Sequence, residues 1–222
     1  MKRSAVLCAA LAGGLVLAAT AYPHGTPDQV NDPPSTISAS CDLGASLYQS
    51  FAPSRRLLVA VDLRFRAGSS FPANGLAVPI RIHAGTPGGA LSGTTVAFVE
   101  GPRSGGESLL VHFDFPQPIA LDPQGPFVIE YFGVGPFDLS WTFNADNPYP
   151  AGASYPSCSG AGGPPSATVD FNFVTFIPAD AAEPETSITA GPREGAVTRA
   201  RSTTIAFAGT DDLSYPSNLT FT

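Results

Sequence analysis

The chain has 222 residues and a formal net charge of −7 at pH 7, because 18 acidic side chains outnumber 11 lysines and arginines. This acidity argues against electrostatic binding to nucleic acid or to anionic lipid as the main role. Gly and Pro each occur 23 times and Phe 15 times, a composition typical of short strands joined by many turns.

The first 21 residues have the three parts of a secretory signal peptide. Lys2 and Arg3 form a basic start, residues 5–18 are small and apolar, and residues 19–21 offer small side chains for cleavage before Tyr22. The apolar run is shorter than the roughly 20 residues that a membrane span needs. We therefore expect a secreted protein with no membrane span after signal removal.

Composition divides the remaining chain into four parts. Residues 22–36 are polar and rich in proline, which predicts a flexible leader. Residues 37–177 alternate apolar and polar side chains, whereas residues 178–185 are acidic and contain two prolines, as linkers do. Residues 186–222 suggest two strands of a second β-unit, too short for a sandwich of its own. We expect this last unit to be incomplete, mobile and easily removed by protease.

Period-two alternation within residues 37–177 predicts strands that bury one face. The clearest run is Leu57 to Arg66, where apolar side chains alternate with Asp62, Arg64 and Arg66. No segment after residue 22 has helical spacing. The pattern predicts an all-β fold, a two-sheet antiparallel β-sandwich of the jelly-roll type. The predicted core comprises Val59, Val61, Leu63, Phe65, Ile80, Ile82, Val111, Phe113, Ile129, Phe171 and Phe173.

Two cysteines, Cys41 and Cys158, remain after signal removal. In an oxidising compartment two cysteines have one connectivity, so we predict a disulfide between them. Closing so long a loop would contribute about 4–5 kcal/mol in the chain-entropy model. Two free buried thiols are the alternative.

Four short motifs resemble a known module. They are QSF at 49–51, IHAGTPGG at 82–89, VHFDF at 111–115 and DFNF at 170–173. Together they resemble a jelly-roll module of secreted bacterial proteins, which is similar to carbohydrate-binding jelly rolls. The resemblance implies an exported β-sandwich whose ligand is unassigned in most members, and it carries over no catalytic residue.

A second resemblance begins after the linker. Residues 184–188 (PETSI), 191–192 (GP) and 205–212 (IAFAGTDD) resemble the start of a bacterial immunoglobulin-like repeat. Such repeats continue with a strand that contains cysteine. The resemblance therefore implies that residues 186–222 are the truncated start of an immunoglobulin-like unit.

The segment from Trp141 to Tyr155 suggests a carbohydrate site, because aromatic faces stack on sugars while Asn and Asp bind hydroxyl groups. For Trp141 we favour the alternative that the ring packs inward with Leu139 and Phe143. Tyr149 and Tyr155 are then the better candidates for exposure. The candidate ligand-binding residues are Trp141, Tyr149, Tyr155, Asn144, Asp146 and Asn147.

The sequence indicates no catalytic constellation and no cofactor. Glu130 and Asp170 are the best pair of acids for glycoside hydrolysis, but alternation places both on the solvent face with arginines as partners. His83 and His112 also lie on polar strand faces, and no nucleophile elbow is present. The weak candidates for calcium binding are Asp138, Asp146 and Asp170.

These observations lead us to expect a secreted, non-catalytic surface module for adhesion or ligand presentation. Its expected partners are polysaccharide or cell-surface components, and not nucleic acid. Two alternatives stay open: a carbohydrate-binding module that uses the Trp141 to Tyr155 region, and an accessory part of a longer extracellular hydrolase.

Overall fold

Antiparallel strands make up the regular structure of the described residues. The computed structural model describes residues 25–41, 45–122, 124–134, 138–146, 148–156, 164–166, 168–179, 184–193, 195, 197, 202–211 and 213–214. Within these ranges no helix has the length and apolar character needed to cross a membrane.

The described residues contain fourteen strands. They are β1 (Thr26–Asn31), β2 (Ser38–Ala39), β3 (Ser46–Phe51), β4 (Leu57–Ala67), β5 (Leu76–Ala84), β6 (Leu91–Val99), β7 (Ser108–Ala120), β8 (Phe127–Phe132), β9 (Leu139–Ala145), β10 (Ser154–Tyr155), β11 (Val169–Phe171), β12 (Phe173–Ile177), β13 (Glu185–Ala190) and β14 (Ala206–Thr210).

The first twelve strands form two sheets that enclose the core. One sheet has the order β1-β12-β4-β9-β11, with β7 paired to β4 and β2 paired to β9. The other has the order β10-β3-β8-β5-β6. Eight of these strands, β1, β3–β8 and β12, correspond to the eight strands of a jelly roll when numbered one to eight in chain order. In this numbering the first sheet has the order 1-8-3-6 (β1-β12-β4-β7), and the second has the order 2-7-4-5 (β3-β8-β5-β6). This is jelly-roll order, and the predicted all-β sandwich is confirmed.

The predicted core residues lie in the core cluster with one exception. The pairing of β4 with β7 is irregular between Leu58 and Ala60, where β7 carries extra residues, and the side-chain alternation of β4 shifts by one residue there. Leu58 therefore joins the core, whereas Val59 is buried outside the main cluster, against the backbone of Gly25. The other predicted core residues all belong to that cluster: Val61, Leu63, Phe65, Ile80, Ile82, Val111, Phe113, Ile129, Phe171 and Phe173.

Part of the segment interpreted as a flexible leader is the first strand of the jelly roll. Strand β1 pairs with β12 from Thr26 opposite Ile177 to Asn31 opposite Phe173. Asn31 is only 3% exposed. Pro27 is compatible with this position because β1 lies at the edge of its sheet, where a missing N–H can face solvent. Proline content therefore misled the prediction for residues 25–36.

The strands after the linker form a separate two-stranded sheet, β13 with β14. Its apolar side chains are exposed, Ile188 by 67% and Phe207 by 48%. The chain then returns to the sandwich: the carbonyl of Leu213 accepts the Arg56 N–H at 2.9 Å, and Leu213 is 4% exposed. Residues 186–222 were expected to form a mobile unit separate from the sandwich. Leu213 contradicts this expectation, because it is buried and bonded to Arg56.

Replacing Phe113 with alanine should lower the free energy of unfolding by about 3–5 kcal/mol, because its ring is 1% exposed. Phe98→Ala is the matched control, since that ring is 63% exposed, and it should cost less than about 1 kcal/mol. Urea denaturation measures both. Equal losses would show that the two strand faces are wrongly assigned.

Candidate functional site

The outer surface of the five-stranded sheet carries a row of polar and aromatic side chains. Tyr155 lies opposite Tyr48, Tyr48 opposite Glu130, Glu130 opposite Arg81, and Arg81 opposite Thr94. Residues directly opposite in antiparallel strands share a face and lie about 5 Å apart. The row is therefore continuous across all five strands.

Glu130 is the centre of this row and is 4% exposed. Its Oε1 accepts hydrogen bonds from the hydroxyls of Ser46 (2.7 Å) and Tyr48 (3.2 Å). Its Oε2 lies 2.8 Å from Nε2 of His83 and 3.5 Å from Nη1 of Arg81. Burial alone would raise the pKa of Glu130, but the hydrogen bonds from Ser46 and His83, with the charges of His83 and Arg81, hold it below its ordinary value.

Alternation correctly predicts that Glu130 and His83 lie on the outer face of their sheet. Both side chains are nevertheless buried. His83 is 8% exposed, and its Nδ1 lies 3.0 Å from the carbonyl oxygen of Gly89, in the loop after β5. Arg81 is the arginine partner of Glu130. Sequence reasoning missed the resulting cluster because Ser46 and Tyr48 come from a strand distant in sequence.

Arg81 is held in a defined orientation on this surface. Its guanidinium carbon lies 4.8 Å from the centroid of the Phe132 ring, a cation–π distance, and its side chain is 43% exposed. Next to it β6 exposes Val96 by 60% and Phe98 by 63% on the same face. We name Arg81, Thr94, Val96, Phe98 and Phe132 the sheet platform. Exposed apolar groups beside an ordered arginine are typical of recognition surfaces.

The aromatic residues predicted to bind sugar are mostly buried. Trp141 is 0% exposed, stacks on Phe171 at 4.5 Å, and donates its Nε1–H to the Asn172 carbonyl at 2.8 Å. The alternative, that this ring packs inward, is therefore confirmed. Tyr149 is 7% exposed, so its predicted exposure is wrong. Tyr155 is half-buried at one end of the polar row.

Asp170 is a structural acid within the sandwich. It is 0% exposed, and its oxygens accept hydrogen bonds from Gln49 Nε2 (3.0 Å) and from the Tyr149 N–H (3.1 Å). Burial raises its pKa and outweighs these hydrogen bonds. The predicted solvent-facing position and arginine partner are therefore wrong for Asp170, because Gln49 reaches across from the other sheet.

The remaining polar candidates do not converge on a ligand. Asn144 donates to Asn172 Oδ1 at 2.9 Å, and Asp146 is an exposed turn residue with φ of 70°. Asn147 lies outside the described residues. No three His, Cys, Asp or Glu side chains in the described ranges could together hold a metal ion. The calcium site suggested for Asp138, Asp146 and Asp170 is thus not formed there.

His112 forms an ion-pair bridge on the outer face of the other sheet. Its Nδ1 lies 2.5 Å from Asp62 and its Nε2 lies 3.0 Å from Asp114. The hydrogen bond to Asp62 is the main cause that raises the pKa of His112, and the contact with Asp114 adds to it. His112 also lines a groove of about 610 Å³ between β6 and β7, with Phe98 and Leu110.

Comparison with known proteins adds no assignment, since the chain matches no family model and no curated protein. The functional argument therefore rests on the surfaces described above.

Replacing Glu130 with glutamine should lower the free energy of unfolding by about 1–3 kcal/mol at pH 7, because an amide NH₂ would face hydrogen-bond donors. Because the pKa of Glu130 is lowered in the folded protein, its ionised carboxylate stabilises the fold above pH 4.5, the ordinary pKa of glutamate. This stabilisation is lost as the pH falls through the lower pKa of the folded state. The difference between wild type and variant should therefore shrink below about pH 4.5.

Denaturation across pH measures this difference. Glu107→Gln is the control, since its side chain is 36% exposed and pairs only with nearby residues, and it should cost no more than about 1 kcal/mol. A Glu130→Gln deficit that stayed constant with pH would assign the effect to packing rather than to charge.

Proposed function

We propose that this chain is a secreted, non-catalytic surface module that adheres to a partner through the sheet platform. The observation that supports this is an arginine fixed on Phe132 beside two exposed apolar side chains, Val96 and Phe98. Removing apolar surface from water contributes about 25 cal/mol per Å², so a partner that covers these two side chains gains free energy.

Rigidity of the platform favours binding. Arg81 is held both by Phe132 and by Glu130, which is itself fixed by donors from two other residues of its sheet. An arginine already ordered before association loses less conformational entropy on binding. Arginine and aromatic side chains also contribute most of the binding energy in many protein interfaces.

A protein component of a cell envelope fits the platform best. Val96 and Phe98 offer apolar contact, while Arg81, which already pairs with Glu130, offers its remaining guanidinium N–H groups to acceptors on the partner. Carbohydrate binding remains the second candidate, now with Tyr155 as the aromatic residue rather than Trp141 or Tyr149. An accessory role in a longer hydrolase stays a prediction that the complete reading frame would test.

The proposal includes secretion of the chain and a disulfide between Cys41 and Cys158. Cys41 is 2% exposed in the core cluster, and both Cys158 and the signal sequence lie outside the described residues. Titration of mature protein with a thiol reagent, denatured without reductant, should find no reactive thiol. Two reactive thiols per chain would contradict the pairing.

Binding to isolated bacterial cell envelopes tests the platform. The double variant Val96→Ser with Phe98→Ser should lose most of the saturable binding of the wild type, because it removes the apolar contact. Ile188→Ser is the matched control, since Ile188 is 67% exposed on β13, and it should bind as the wild type does.

Treatment of the envelopes separates the two candidates. Protease treatment should abolish binding if the partner is a protein, whereas binding that survives protease and is lost after periodate oxidation would support carbohydrate instead. Unchanged binding by the platform variant would contradict the platform as the contact surface.

A further inference from the structure

A separate pocket lies on the outer face of the seven-stranded sheet, where the segment after β1 crosses β4 and β7. Its volume is about 360 Å³, at the lower end of the range for small-molecule sites. Apart from a proline, its lining consists of two arginines, one acid and three hydroxyl groups: Arg64, Arg66, Asp32, Ser35, Thr36 and Ser108.

The first arginine of the pocket is already neutralised. Arg64 donates through Nε to Asp32 Oδ1 at 2.7 Å and through Nη2 to Asp32 Oδ2 at 2.5 Å. Such a two-point pair satisfies both carboxylate oxygens with the geometry that guanidinium groups prefer. The charges of Arg64 and Asp32 therefore cancel within the pocket.

The second arginine has no such partner. Arg66 is half-buried near the end of β4, opposite Ser108 on β7, and its guanidinium lies against Gly106. The ion pairs formed within the described part of the chain include none with Arg66. In a chain of net charge −7, this pocket thus carries one uncompensated positive charge.

Hydroxyl groups surround that charge. The Ser35 hydroxyl donates to the Phe143 carbonyl and accepts the Ile37 N–H at 3.1 Å, which fixes its position. Thr36 and Ser108 are exposed, so their hydroxyls can both donate and accept. One guanidinium with several hydroxyls suits a ligand that has one carboxylate and several hydroxyl groups.

We propose that this pocket binds the carboxylate of an acidic sugar, a uronate. The carboxylate accepts two hydrogen bonds from the planar guanidinium of Arg66, and the sugar hydroxyls bond to Thr36 and Ser108. The volume accommodates one sugar ring rather than a long chain. This site is on the opposite sheet from the platform and does not depend on the proposed function.

Isothermal titration of the full chain with galacturonate tests the site, with galactose and methyl galacturonate as uncharged analogues. Galacturonate should bind, and the two analogues should bind at least about tenfold more weakly, because they lack the charge-assisted pair. Arg66→Gln should lower galacturonate affinity by a similar factor. Arg193→Gln removes the same charge from an exposed position after β13 and should change affinity less than about twofold.

Two further measurements separate a sugar site from a simple anion site. Ser108→Ala should weaken galacturonate and leave the weaker binding of acetate unchanged, since acetate has no hydroxyl to lose. Arg66→Lys keeps the charge without the planar fork and should also weaken galacturonate. Equal affinity for galacturonate and inorganic sulfate, equal affinity for galactose, or full affinity in Arg66→Gln would each overturn the proposal.

Discussion

The fold depends on one side chain that joins its two sheets, the amide of Gln49. It is completely buried; its Nε2 donates to Asp170 at 3.0 Å and its Oε1 accepts the Phe171 N–H at 2.8 Å. A buried polar atom without a partner costs about 1–3 kcal/mol, so any slip of β3 against β11 is penalised. The register of β3 in turn determines that Tyr48 faces outward beside Glu130.

The pairing of polar side chains also explains why the outer faces of the two sheets differ in their exposed chemical groups. On the five-stranded sheet, polar side chains pair with one another around Glu130, and beside them β6 exposes the apolar side chains of Val96 and Phe98. On the seven-stranded sheet, Arg64 pairs with Asp32 and leaves Arg66 uncompensated. One face is thus suited to apolar contact and the other to a small anionic group.

Period-two alternation was enough to predict the sandwich, and all but one of the predicted core residues lie in the core cluster, because strand faces are a local property of sequence. It failed where structure depends on distant partners. Strand β1 is defined by its pairing with β12, and Pro27 within it and the prolines after it disguise it. The irregular pairing of β4 with β7 before Ala60 leaves Val59 outside the core cluster. The cluster around Glu130 draws its partners from two other strands, β3 and β5, and no local pattern could indicate that His83 is buried there.

The pairing of Thr26 with Ile177 brings the entry and exit of the sandwich side by side. A pulling force applied at these two points would act at the same end of the antiparallel strands β1 and β12. The hydrogen bonds between the two strands would therefore break one after another, starting at that end. Opening of this kind needs much less force than sliding two strands past each other. As a link under tension, the sandwich would therefore release β1 first, and Asn31, at the far end of the ladder, would be the last residue to separate.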